Sequence, residues 1–206
     1  TGYDAAIWQA MVDMGWAGIA LPDTVGGAGM GVGSAVPVFE ALGSGLLGTP
    51  LLSTTLAGPL IWRAAGESAA DWLGRLCSGT VATVALLDQA DWGAANLGVA
   101  LNADGTLSGA KHYVADAGAA EIFIAVANEC GAPVLAIVER DTLNEGAITL
   151  NTLIDLTKRA ANVDFSGVVP AQVIRGESVA TALRDMLLLG ALFTAAETAG
   201  AADKCL

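Results

Sequence analysis

Gly15-Trp16-Ala17-Gly18-Ile19-Ala20-Leu21-Pro22-Asp23-Thr24-Val25-Gly26-Gly27-Ala28-Gly29 is the stretch on which the reading of this chain turns. Upstream of it, apolar residues fall at Ile7, Met11 and Met14, a helical spacing, and Asp4 is placed to cap that helix. Gly15 can close the helix, and Trp16 is an aromatic anchor for the turn that follows. Pro22 and then Gly26, Gly27 and Gly29 argue against another helix directly downstream, because proline lacks the N–H and glycine loses the most backbone freedom on ordering. A loop is therefore expected. Taken alone, these glycines suit a generic connection as well as a specialised one.

Beyond the loop, Val36, Phe39, Leu42 and Leu46 mark a helix that ends near Gly48-Thr49-Pro50. Two more helices are predicted over residues 54–65 and 68–77, bounded by Gly66 and Gly79. The pattern then changes. Residues 80–87, 106–115, 121–127, 134–139, 147–150 and 160–165 are short segments rich in Val, Ile and Thr, separated by turn signals such as Asp104-Gly105 and Asn144-Glu145-Gly146. From Ser178 the sequence returns to helix, apolar on nearly every face from Leu183 to Phe193, as in a bundle or an interface. The fold class expected is α+β: an all-α domain over residues 1–79, a small β-barrel or sandwich over 80–175, and the first helix of a further helical domain over 176–206.

The composition bounds the function. In 206 residues, 54% are hydrophobic and 15% charged, which implies surface covered by other subunits or by further chain. A net charge of −12 argues against a nucleic-acid surface, which needs clustered Lys and Arg. Cys77, Cys130 and Cys205 are odd in number and lack metal spacing, so they read as reduced, half-buried thiols of a cytoplasmic protein with no metal site. His112, the sole histidine, cannot by itself build a triad or a metal centre. The strongest apolar run, Met186 to Phe193, is broken by Gly190 and falls short of the roughly 18 residues a bilayer requires, so no membrane span is expected. Nothing near Thr1 reads as an export leader.

Several local patterns, in this order, resemble the acyl-CoA dehydrogenases. The Gly15–Gly29 stretch is similar to the family's helix-to-loop passage, and Val38-Phe39-Glu40-Ala41-Leu42-Gly43 to the helix that follows it. Asp104-Gly105-Thr106-Leu107-Ser108-Gly109-Ala110-Lys111 looks like its Leu-x-Gly-x-Lys hairpin. Asp155-Leu156-Thr157-Lys158-Arg159, with Val163-Asp164-Phe165 and Val168-Val169-Pro170 behind it, looks like the end of its β-domain. The resemblance covers almost the whole chain. It implies a flavoprotein that desaturates an acyl-CoA thioester between the α and β carbons. In that chemistry a carboxylate removes the α-proton, hydrogen bonds stabilise the enolate, and the β-hydrogen leaves as hydride to flavin.

This chain departs from the family where that chemistry lies. The family's Thr-Glu-Pro-x-Ala-Gly-Ser-Asp loop corresponds to Leu86-Leu87-Asp88-Gln89-Ala90-Asp91-Trp92-Gly93, with Leu87 at the threonine position. The second flavin-contacting segment, usually Trp-Ile-Thr or Trp-Ile-Ser, is Tyr113-Val114-Ala115, which keeps the aromatic and loses the hydroxyl. The resemblance thus implies cofactor contacts at Leu87, Asp88, Tyr113, Val114 and Ala115, and a substrate contact at Arg184, which matches an arginine common near the family's active site. No catalytic residue is assigned. The base position near the start of the last helix holds Ala182 and Leu183, and Glu197 reads as a residue that caps or pairs within the bundle. Lys111 and His112 read as strand-edge residues rather than coenzyme contacts, and Lys158 and Arg159 as phosphate contacts or partners of acids. Trp62, Trp72 and Trp92 read as packing residues.

The expected protein is accordingly an acyl-CoA dehydrogenase subunit of fatty-acid or steroid degradation, with FAD (flavin adenine dinucleotide) shared between subunits. The loss of hydroxyls and base suits a partial-site partner in a heterotetramer. A self-sufficient homotetramer whose base lies further along the chain, and an acyl-CoA-binding scaffold without flavin, are the alternatives. The partners the resemblance implies are a homologous subunit, acyl-CoA and an electron-transfer flavoprotein.

Overall fold

The computed structural model describes residues 2–88 and 98–206, which fall into two compact units. One, helical, comprises Tyr3–Thr80 and Thr181–Leu206; the other, built on strands, comprises Gly2 and Val81–Ala180. The α+β class expected from the sequence is the class observed.

The helical unit begins with α1 (Ala5–Asp13). Asp4 Oδ1 accepts from the N–H groups of Ala6 and Ile7, supplying the cap. Gly15 takes the left-handed conformation at φ 74° and ends the helix. The deciding stretch then folds back on itself: the N–H groups of Ala28, Gly29 and Met30 donate to the carbonyls of Gly18, Leu21 and Ile19. Gly27 allows that approach, since a Cβ there would lie 2.2 Å from the Leu21 oxygen. Only single helical turns form within the loop, at Trp16–Gly18 and Asp23–Val25. Trp16 is half-buried rather than anchored in the core. That role falls to Trp8, 6% exposed, whose Nε1 donates to the Gly79 carbonyl.

Next come α2 (Val36–Gly45), α3 (Leu51–Ala65) and α4 (Ala70–Cys77). The apolar stripe of α3, which includes Leu51, Ala57, Leu60 and Ile61, is fully buried. In the same unit α5 (Ser178–Asp203) crosses α2, with Phe193 stacked on Phe39 at 4.5 Å between ring centroids. By length and composition α5 could cross a bilayer, which corrects the expectation that no stretch is long enough. Its buried face of Met186, Leu189 and Phe193 is that of a bundle helix.

The β-unit has two sheets. The larger runs β3 (Leu107–Ser108), β2 (Ala100–Leu101), β5 (Ile122–Glu129), β6 (Ala132–Glu139), β9 (Gln172–Ile174), with β1 (Ala82–Ala85) parallel to β5. The smaller has the order β4 (Ala110–Ala115), β8 (Ala160–Asp164), β7 (Ile148–Leu150). β5 and β6 are paired along their whole length by a two-residue turn, Cys130-Gly131, with φ 52° and 88°. Their buried runs, Ile122–Ala127 and Val134–Val138, form the core of this unit. The single strand expected over residues 106–115 is two, because Gly109 at φ 103° breaks it. The very short β2 and β9 carry too little pattern to be read from sequence.

Candidate functional site

The second family segment lies on β4, and its geometry is set by a β-bulge. Ala110 and Lys111 pair with Asp164 and Val163, whereas Val114 and Ala115 pair with Ala161 and Ala160, so one extra residue of β4 is accommodated between them. Tyr113 takes it up at φ 49°, a conformation uncommon outside glycine. Its N–H donates to Asn162 Oδ1 across the bulge at 3.2 Å. The strand consequently sorts its side chains. Lys111 and Val114 are buried at 0% and 1% exposure, while the Tyr113 ring stands 44% exposed and Ala115 is exposed with it.

The strand's end is held from below. Thr83 Oγ1 on β1 donates to the Ala115 carbonyl at 2.6 Å. Asp116, at φ 53°, is 8% exposed and accepts from Arg159 Nε and Nη2 at 3.1 and 3.0 Å. Arg140 Nη1 donates to the carbonyls of Ala117 and Ala120, closing the turn. Arg159 is thereby engaged with an acid, the second of the two roles expected for it; it also donates to the Gly2 carbonyl. Beside this turn lies a cleft of about 320 Å³ lined by Asp116, Leu150, Asn151, Leu156, Lys158 and Arg159.

The first segment meets β4 directly. Leu87, half-buried, bridges His112, whose N–H donates to the Leu87 carbonyl at 2.7 Å. Asp88 turns inward: its Oδ1 receives Lys111 Nζ at 2.5 Å and the Val99 N–H at 3.1 Å. Lys111 Nζ donates also to the Leu86 carbonyl at 3.0 Å. Burial pushes the Lys111 ammonium below its ordinary value, against the pull of Asp88. The structure thus corrects the reading of Lys111 as a strand-edge residue and commits the Asp88 carboxylate to the interior. Residues Gln89, Ala90, Asp91, Trp92 and Gly93 lie outside the described residues.

The remaining expected positions are elsewhere. Arg184 is exposed on α5 in the helical unit, next to Asp185, which pairs with Arg63. Glu197 is half-buried on the same helix. Cys77 is half-buried, as expected, and its thiol is pushed up by burial, whereas Cys130 and Cys205 are exposed, which corrects the expectation for those two. Trp62 is half-buried, and Trp72 carries the Arg75 guanidinium at 4.9 Å over its ring. No group of three His, Cys, Asp or Glu able to hold a metal occurs among the described residues.

Whether these positions suit the flavin that the resemblance implies is decided by the open face of β4. Tyr113 and Ala115 present a half-exposed aromatic ring and a methyl, which suit the face of a planar heterocycle. Val114 is turned away, so it can offer only its main chain. The polar edge of such a ring would find main-chain groups here, and at Ala115 a methyl in place of a Ser or Thr hydroxyl.

A helical unit and a two-sheet unit, with a bulged aromatic ribbon on the smaller sheet, define the class: an α+β protein. Residues 1–80 match the acyl-CoA dehydrogenase N-terminal domain. The acyl-CoA dehydrogenase IpdE2 of Mycobacterium tuberculosis is 36% identical over 88 residues, covering 42% of this chain and 27% of the relative. FadE27, an acyl-CoA dehydrogenase of the same organism, is 29% identical over 180 residues, covering 80% of this chain and 48% of the relative. Among solved structures, the Tcur3481-Tcur3483 steroid acyl-CoA dehydrogenase superposes at a TM-score of 0.75 with 25% identity, over 95% of this chain and 55% of that one. The first 80 residues thus match the family's N-terminal domain, and the chain as a whole is similar to acyl-CoA dehydrogenases in sequence and fold. It spans between about a quarter and about half the length of these curated relatives.

Proposed function

We propose that this chain is a subunit of a flavin-dependent acyl-CoA dehydrogenase that introduces an α,β double bond into an acyl-CoA thioester, and that it supplies part of the site to a homologous partner. The observation that carries this reading is the ribbon on β4: it keeps an outward aromatic, Tyr113, while Ala115 stands where a hydroxyl would be expected. The nearest carboxylate in sequence, Asp116, is buried against Arg159 and is not disposed to act as a base. The steroid enzyme similar to this chain carries a double name, Tcur3481-Tcur3483, which favours a heteromer and a ring-bearing acyl group.

FAD, when bound, supplies the hydride acceptor for the β-hydrogen. The chain's own part is positional. Tyr113 and Ala115 would carry the face of the ring system, and the main chain of residues 113–115 would offer hydrogen bonds to its polar edge. Thr83 and Asp116 hold the end of that ribbon in place. Arg184 would meet the acyl-CoA, while the proton acceptor for the α-carbon would come from the partner. Electrons would leave to an electron-transfer flavoprotein in the cytoplasm.

The test is purification of the full-length protein alone and together with the product of a neighbouring dehydrogenase gene. Flavin absorbance and its bleaching by acyl-CoA would be recorded for each. Flavin and turnover are expected only in the pair. Turnover by the protein alone would defeat the partial-site reading, and absence of flavin from both samples would replace it with a scaffold.

A further inference from the structure

We propose that the buried Asp88–Lys111 ion pair is a positioning device: it sets the register at which β4 bulges, and so decides that Tyr113 faces outward. As far as this concerns a flavin, it rests on the reading of the ribbon given above.

The pair is sited where strand register has to be decided. Lys111 is the last residue of β4 before the bulge to pair in the first register, and Val114 is the first to pair in the second. Successive strand residues alternate in direction, so a slip of one residue exchanges the buried and exposed sets. Lys111 is held from two sides, by the Leu86 carbonyl and by Asp88, and its neighbour His112 is held by Leu87. Those contacts fix residues 111 and 112 before the extra residue is inserted. Because Asp88 Oδ1 also accepts the Val99 N–H, one carboxylate joins three separate parts of the chain.

Two glycines make the arrangement possible. A Cβ at Gly109 would lie 2.8 Å from the Gly98 carbonyl oxygen, and one at Gly98 would lie 3.1 Å from Asp88 Cβ. Stability alone does not account for the pair. Lys111 is 0% and Asp88 6% exposed, and burying two such charges costs enough desolvation that an apolar pair of similar volume is often equally stable. What an apolar pair lacks is direction. A methionine could slide along the inner face, whereas an ammonium must meet its carboxylate and carbonyl at hydrogen-bond distance.

The experiment compares the full-length protein with the Lys111→Met variant and with the double variant Asp88→Leu/Lys111→Met, which leaves no unpaired charge should the single variant be too unstable to fold. Hydrogen–deuterium exchange is measured at the His112 and Tyr113 amides, and FAD affinity by titration of the apoprotein. In the double variant, exchange at those two amides is expected to be at least tenfold faster, with the amides of β5 and β6 unchanged. FAD is expected to bind at least tenfold more weakly, with loss of the fine structure in its visible band. Exchange within twofold of the parent would overturn the proposal, and faster exchange with unaltered FAD affinity would overturn its link to the flavin. A parent protein that binds no FAD would remove the function proposed above, while the exchange data would still decide the role of the pair.

Discussion

Gly43→Ala is expected to be among the most damaging single methyl additions in the helical unit. Where α2 crosses α5, a Cβ on Gly43 would sit 1.8 Å from the Glu197 carbonyl oxygen, and one on Gly200 would sit 1.9 Å from that of Glu40. Real Cβ atoms essentially never come within 3.0 Å of such an atom, so the helices would have to part by about 1.2 Å. Overpacking of this kind costs about 1–3 kcal/mol. Parting the helices also strains the Ser44 Oγ to Gly200 carbonyl bond at 3.0 Å and the Phe39–Phe193 stack at 4.5 Å. Those losses are worth roughly 1 kcal/mol each. Alanine's better helix propensity returns about 0.5–1 kcal/mol. The net is about 3 kcal/mol, which in a chain of this size lowers Tm by roughly 6–12 °C. Urea unfolding followed by circular dichroism should show a lower midpoint with an unaltered slope. Gly190→Ala on the same helix is the control, because its Cβ would meet the Leu56 methyls at an ordinary 3.6 and 4.0 Å. It is expected to leave Tm unchanged or raise it. A Gly43→Ala protein melting within 2 °C of the parent, a threshold roughly equal to 1 kcal/mol, would refute the backbone-to-backbone crossing.

Other perturbations report on other parts of the molecule. Asp4→Ala removes both side-chain bonds of the α1 cap and should cost about 1 kcal/mol, seen as a drop of roughly 2–4 °C in Tm. Hydrogen bonds from Arg175 hold the Glu129 carboxyl below its usual range, so the stability it adds is complete above the unfolded carboxylate pKa and is lost as pH falls through the folded value. The Tm difference between parent and Glu129→Gln should therefore be largest at neutral pH and shrink as the medium is acidified through the carboxylate range; a difference that grows on acidification would contradict the pairing. Ala115→Ser restores a hydroxyl to the ribbon and should slow the release of FAD from the complex, measured as flavin retained after gel filtration. Unchanged retention would remove Ala115 from the cofactor contacts.

Much of the helical unit was legible because its signals are local. Asp4 caps within three residues of itself, Gly15 ends a helix by its own φ, and the glycines after Pro22 permit a fold-back onto residues only a few positions earlier. The core strands β5 and β6 were legible from their apolar runs, although the Cys130-Gly131 turn between them carries no strong hairpin signal. The site was harder to read. Lys111 looked like an edge lysine because its carboxylate partner lies 23 residues earlier, and no local pattern announces such a pair.

By itself, then, the sequence determined the order of the helices and the longer strands, the family they resemble, and the loss of hydroxyls at Leu87 and Ala115. Those properties depend on neighbours within a turn or a strand, or on residue identity alone. Only the tertiary structure decided which side chains face outward from β4, that Asp88 faces Lys111, and that α2 and α5 meet at Gly43 and Gly200. Each of those depends on the register between segments far apart in the chain, which long-range packing settles and local propensity does not.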